Sequence, residues 1–66
     1  MKEYRIDIIN AEAHNKYFFE TEKEAMKFLL NTQMKKGQKA FLLKYSYTDS
    51  DGANIYDVAA DLTDIF

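Results

Sequence analysis

The spacing of apolar and polar residues changes along the chain, and the changes mark its elements. In EYRIDII, residues 3–9, Tyr4, Ile6 and Ile8 alternate with Arg5 and Asp7. Strand side chains alternate between faces, so this stretch predicts a strand with one buried face. NAEAHN, residues 10–15, breaks the alternation with an asparagine at each end and reads as a turn. It places His14, the one histidine, in that turn. KYFFE, residues 16–20, is short and aromatic and predicts a second strand, paired with the first as a hairpin.

The period then shifts. TEKE at residues 21–24 is a capping box: the Thr21 hydroxyl can accept from the Glu24 amide while the Glu24 carboxylate reaches back to the Thr21 amide. Glu22 and Glu24 also suit the positive end of a helix dipole. Ala25, Phe28, Leu29 and Thr32 follow as a stripe at helical spacing, bordered by Met26, Leu30, Gln33 and Met34. The expected helix spans about 21–36, with Lys35 and Lys36 at its negative end and Gly37 as its stop. So wide an apolar face should lie across a sheet.

KAFLLKYSYT, residues 39–48, returns to period two. Phe41, Leu43, Tyr45 and Tyr47 share one face; Leu42, Lys44, Ser46 and Thr48 share the other. Apolar groups on both faces at its start predict a central strand. After Gly52 the period is ambiguous. Period two aligns Tyr56, Val58 and Ala60, whereas helical spacing aligns Ile55, Val58, Ala59, Leu62, Ile65 and Phe66. A turn signal directly after a long strand favours a hairpin, hence a strand at about 54–59 with a short helical turn or tail behind it. The expected fold is a single α+β domain over residues 1–66, β-β-α-β-β, with an antiparallel sheet and one helix packed on one face. The other face, with some of Ile9, Phe18, Leu42, Ile55 and the tyrosines, then calls for a cover. A second copy is the simplest one, so a homodimer is expected.

Composition narrows the chemistry. A core built from 66 residues supplies only about 3–5 kcal/mol. There is no cysteine, which removes disulfides, thiolate metal sites and cysteine nucleophiles and fits a reducing cytoplasm. The start, MKEYRIDIIN, reads as neither signal peptide nor anchor, and no stretch approaches the roughly 20 apolar residues of a membrane span. The expectation is a complete, small cytoplasmic protein without membrane contact. Gly37 and Gly52 stand alone, so no phosphate-binding loop is present.

Net charge is −2, unevenly spread. Residues 1–24 hold four basic and six acidic groups, residues 25–48 five lysines and no acid, and residues 49–66 five aspartates and no base. Either the last two blocks lie together and neutralise each other, or one forms an electrostatic docking face.

The stretch nearest to a chemical motif is YTDSDGANIYD, residues 47–57. A calcium loop of EF-hand type needs glycine at position 6 and a bidentate glutamate at position 12. With Gly52 at 6, Asp49 and Asp51 fall at 3 and 5, but Tyr47 falls at 1 and Val58 at 12. Starting at Asp49 puts Asn54 at 6 and Ala60 at 12. Both registers lose the bidentate ligand, and Asp-Gly is a strong hairpin signal, so a turn is expected and no metal. A lone histidine, with Ser46 and Ser50 outside any nucleophile elbow, predicts no catalytic residues, no cofactor and no enzyme.

Two kinds of partner remain. KKGQKAFLLKYSY sets lysines among aromatics, but the RNA-recognition motif fails after Lys36-Gly37, where Gln38 and Lys39 follow and Leu43 ends the run. Lys35, Lys36, Lys39 and Lys44 with sheet aromatics stay as the alternative, a site for single-stranded nucleic acid. The favoured expectation is a protein partner, met by Asp49, Asp51, Asp57, Asp61 and Asp64 with Tyr45, Tyr47 and Tyr56, or by the open sheet face. A protein that only self-assembles is the third.

In size and composition the whole chain resembles small phage and mobile-element proteins of low-GC bacteria: cysteine-free, acidic, and rich in Lys, Asn, Ile and Tyr. The resemblance implies binding and blocking of a host protein, sometimes by presenting carboxylates as a nucleic-acid mimic. It assigns no residue. For the aspartate-rich turn, calcium added to the chelator-treated protein is expected to leave the thermal midpoint unchanged. A rise that the chelator reverses would restore the calcium loop.

Overall fold

A computed structural model describes residues 2–63. Its elements are β1 (Tyr4–Ile9), β2 (His14–Phe19), α1 (Glu22–Leu30), β3 (Lys39–Thr48) and β4 (Asn54–Asp61). The strands form one sheet in the order β2-β1-β3-β4, every neighbouring pair antiparallel. α1 lies over β1 and β2 on one face. The α+β fold expected from periodicity is the fold observed.

The β1–β2 hairpin closes tightly. The Asn10 side chain accepts from the amides of Glu12 (2.8 Å) and Ala13 (2.7 Å), and the Asn10 amide donates to the Ala13 carbonyl at 2.9 Å. That turn needs only two residues between its closing pair, so β2 begins at His14, and His14 is a strand residue rather than part of the turn. The capping box forms as predicted at its first half: Thr21 is extended, and its Oγ1 accepts from the Glu24 amide at 3.2 Å.

α1 ends at Leu30, not near residue 36. The Asn31 side chain donates to the Lys27 carbonyl at 2.9 Å, and the Thr32 hydroxyl donates to the Phe28 carbonyl at 2.7 Å. Short polar side chains thus satisfy carbonyls that further helical turns would have used. Lys35 and Lys36 therefore sit in the connector. There the Gln38 amide donates to the Lys35 carbonyl at 3.1 Å around Gly37, whose φ of 89° suits the third place of a type II turn.

Pairing of Ile6 with Leu42 and of Ile8 with Ala40 places all four on the helix side, where they join Ala25, Leu29 and Leu62 in the core. Leu42 was expected on the uncovered face; the register puts it under the helix and turns Leu43 outward instead. β4 runs to Asp61, past the expected end at 59, and the Leu62 amide then donates to the Ala40 carbonyl at 2.9 Å. The turn or tail expected over residues 60–66 therefore begins as strand at Ala60 and Asp61, and its last part, residues 64–66, lies outside the described residues.

Ile6 and Leu29 are the largest wholly buried side chains. Leu29→Ala is expected to cost about 3 kcal/mol. That consumes most of what a core of this size supplies, about 3–5 kcal/mol. With about 0–2 kcal/mol left, far-ultraviolet circular dichroism during urea titration should show the unfolding midpoint moved close to zero denaturant.

Candidate interaction surface

The face away from α1 is built in rows, because residues paired across strands share a face. One row runs Phe18, Arg5, Leu43, Val58 from β2 to β4; the next runs Lys16, Asp7, Phe41, Asp61. No helix covers these rows among the described residues, yet Leu43 is only 5 % exposed. Three strand spacings separate β2 from β4, about 14 Å. The Phe18 and Tyr56 rings nevertheless approach to 5.8 Å, edge to face. They reach across the central strands and roof Leu43. Tyr56 is braced on its far side by Tyr45, at 6.0 Å, and its hydroxyl donates to the Lys2 carbonyl at 2.7 Å.

Beneath this roof lies a charge centre. Asp7 is 4 % exposed. Arg5 Nε sits 2.7 Å from Asp7 Oδ1, off the line of its N–H, while Arg5 Nη2 donates to Oδ2 at 3.1 Å. His14 Nε2 lies 2.9 Å from the same Oδ2. The Arg5 guanidinium in turn stands over the Tyr56 ring, 5.2 Å from its centre. An enclosed carboxylate needs such partners, since desolvation of an unpaired ion costs several kcal/mol. Sequence reasoning passed over this trio. The signal was available: Arg5 and Asp7 are two apart in a strand, and a two-residue hairpin brings His14 back beside them.

The sequence-derived candidates scatter. Asp49 is turned into its own loop, its Oδ1 accepting from the amides of Asp51 (2.9 Å) and Ala53 (3.0 Å). The Gly52 amide donates to the Asp49 carbonyl at 3.1 Å, with Gly52 at φ 84°. The stretch is thus a hairpin turn with aspartate first and glycine fourth, and no cluster of three metal-ligating side chains occurs among the described residues. Asp51 is exposed at the tip. Asp57 lies opposite Lys44 on the helix side, and Asp61 lies opposite Phe41 on the other. The Thr63 amide, 3.0 Å from Asp61 Oδ1, holds that carboxyl below the usual aspartate range, helped by the Thr63 hydroxyl and by Lys39. Asp64 is outside the described residues. The described aspartates therefore form no common face; of the lysine block, Lys44 lies opposite Asp57 and Lys39 acts on Asp61, while Lys27 is on α1 and Lys35 and Lys36 are in the connector.

Tyr45 and Tyr56 come together on the helix-free face, while Tyr47 stands exposed near the hairpin. The lysines of the nucleic-acid alternative also separate. Lys35 and Lys36 are in the connector, Lys39 pairs with Ile9 on the helix-free side, and Lys44 lies over the Tyr4 ring on the helix side. An open concavity of about 450 Å³ is lined by Phe19 and Phe28 together with Glu24, Lys27, Asn31 and Thr32. Among the described residues no helix is long and apolar enough to cross a membrane. Comparison with protein-family models, curated proteins and solved structures gave no match.

Arg5→Met keeps the side-chain stem but leaves Asp7 with His14 alone. Removing one partner of a buried pair is expected to cost about 3 kcal/mol. Adding Asp7→Leu should recover most of that loss, because an apolar pair needs no counter-charge. Urea unfolding of both variants measures the difference.

Proposed function

We propose that this chain is a small non-enzymatic interaction module of the cytoplasm that works as a homodimer and docks a host or regulatory protein through the helix-free sheet face. The observation that carries the proposal is exposure on that face. Val58 is 62 % and Phe18 43 % exposed, on either side of buried Leu43. Exposed apolar groups around a rigid aromatic centre, with Lys16, Lys39 and Asp61 at the margin, have the anatomy of an interface. The molecule measures 38 × 26 Å in its two longer directions, room for the roughly 800 Å² per partner of a standard interface. The resemblance in size and composition to phage and mobile-element proteins extends the reading to an inhibitor or regulator.

Docking through the acidic hairpin has less support, because Asp49 is consumed by its turn and Asp57 and Asp61 face opposite ways. Capture of the partner from extracts of the cells that make this protein tests the choice. Val58→Glu should weaken capture about tenfold, or about 1.4 kcal/mol. Asp51→Asn with Asp57→Asn should leave it unchanged. Capture indifferent to Val58→Glu would reject the sheet face, and salt-sensitive binding to a labelled oligonucleotide would favour the nucleic-acid alternative.

A further inference from the structure

The outer edge of β2 is bonded to nothing among the described residues, since β2 pairs with β1 alone. It is a regular edge. β2 shows no register shift against β1, whereas β4, the opposite edge, carries two irregularities and ends in Asp61. Bulges and charges protect an edge from further pairing; β2 has no bulge, and its one charged side chain that can repel a copy is Lys16. β2 is also apolar on both flanks. Tyr17, on the helix side, is 37 % exposed, and Phe18, its neighbour on the other side, is exposed too. A partner on either face covers one of these rings. Only a strand added edge-on meets both.

The hydrogen-bond phase says which groups point outward. Asn10 and Ala13 form a bonded pair, through the Asn10 amide and the Ala13 carbonyl. Antiparallel ladders alternate bonded and non-bonded pairs, so Asn15, Tyr17 and Phe19 bond to β1. His14, Lys16 and Phe18 present their N–H and C=O groups to the free edge.

We infer that β2 is the self-association edge of this protein, and that its occupant is β2 of a second copy, antiparallel about a two-fold axis normal to the sheet. Like faces must meet, which leaves two central registers. One sets Lys16 against the partner's Lys16, a like-charge pair that disfavours it. The other sets Tyr17 against the partner's Tyr17, Lys16 against the partner's Phe18 and His14 against the partner's Glu20. That register exchanges repulsion for ring contact, cation–ring contact and a base facing an acid. The two four-stranded sheets join into one, both helices stay on one side, and the two helix-free faces become a single doubled surface. This rests on the homodimer proposed above but not on its docking face.

The cysteine-free chain makes the register directly readable. Asn15→Cys, Lys16→Cys, Tyr17→Cys, Phe18→Cys and Val58→Cys are oxidised separately and run on non-reducing gels. At Tyr17 the two chains form a non-bonded pair with Cα atoms about 4.5 Å apart, within the disulfide span of about 4.4–6.8 Å. Tyr17→Cys should therefore cross-link best. Lys16→Pro removes an outward N–H that β1 does not use, and should weaken the dimer at least about tenfold while the circular dichroism spectrum is kept. Best cross-linking at Lys16→Cys or Val58→Cys would leave a homodimer standing and overturn this register or this edge. A monomer in sedimentation equilibrium at about 1 mM would overturn edge and homodimer together. Val58→Glu should leave the dimer intact, so loss of the docking face alone reads separately.

Discussion

The alternation Ile6-Asp7-Ile8 in β1 is the constraint around which this protein is arranged. β1 is paired on both sides, so whatever it points away from the helix is enclosed by neighbouring strands. Ile6 and Ile8 enter the core, and the same geometry forces Asp7 into the sheet's other face, with almost no water. A carboxylate held there has to be neutralised. Arg5 supplies the charge from the same strand, His14 supplies a ring nitrogen from β2, and Tyr56 of β4 supports Arg5 from above. A single buried ion thereby ties three strands together.

This arrangement explains how one helix suffices for a sheet with two faces. The helix-free side makes a thin second layer from its own side chains: Phe18 and Tyr56 lie down over Leu43, and Arg5 fills the space between them and Asp7. What remains uncovered is therefore limited to Val58, Phe18 and the margins. A bare apolar sheet would demand a cover for stability alone. A roofed one leaves Val58 and Phe18 exposed, while the free edge of β2 keeps outward backbone groups and an exposed ring on each flank.

Much of this was legible in order of locality. The alternation in β1 and β3, the Thr21 cap on the Glu24 amide and the Asp-Gly turn depend on neighbours within a few residues, and each formed where the pattern put it. The end of α1 was less legible, because helical spacing continues through Met34 while Asn31 and Thr32 turn back on the last carbonyls. Spacing says where apolar groups recur, but local hydrogen-bond competition says where a helix stops. The face assigned to Leu42 failed for another reason. Leu42 and Leu43 are equally apolar, and which of them faces the core is set by the β1–β3 register, a contact between residues far apart in sequence.

The chain by itself determined the order of its elements, the start of its helix, the position of its Asp-Gly turn and the exclusion of thiol chemistry and a complete calcium loop. Those follow from side-chain geometry, local hydrogen bonding and residue inventory. Only the tertiary structure decided that Asp7, Arg5 and His14 share one charge centre, that Asp57 and Asp61 face opposite ways, and that Lys44 comes to lie opposite Asp57. Each of these depends on which strands pair and in what register, and a one-residue slip would send every side chain of a strand to the opposite face.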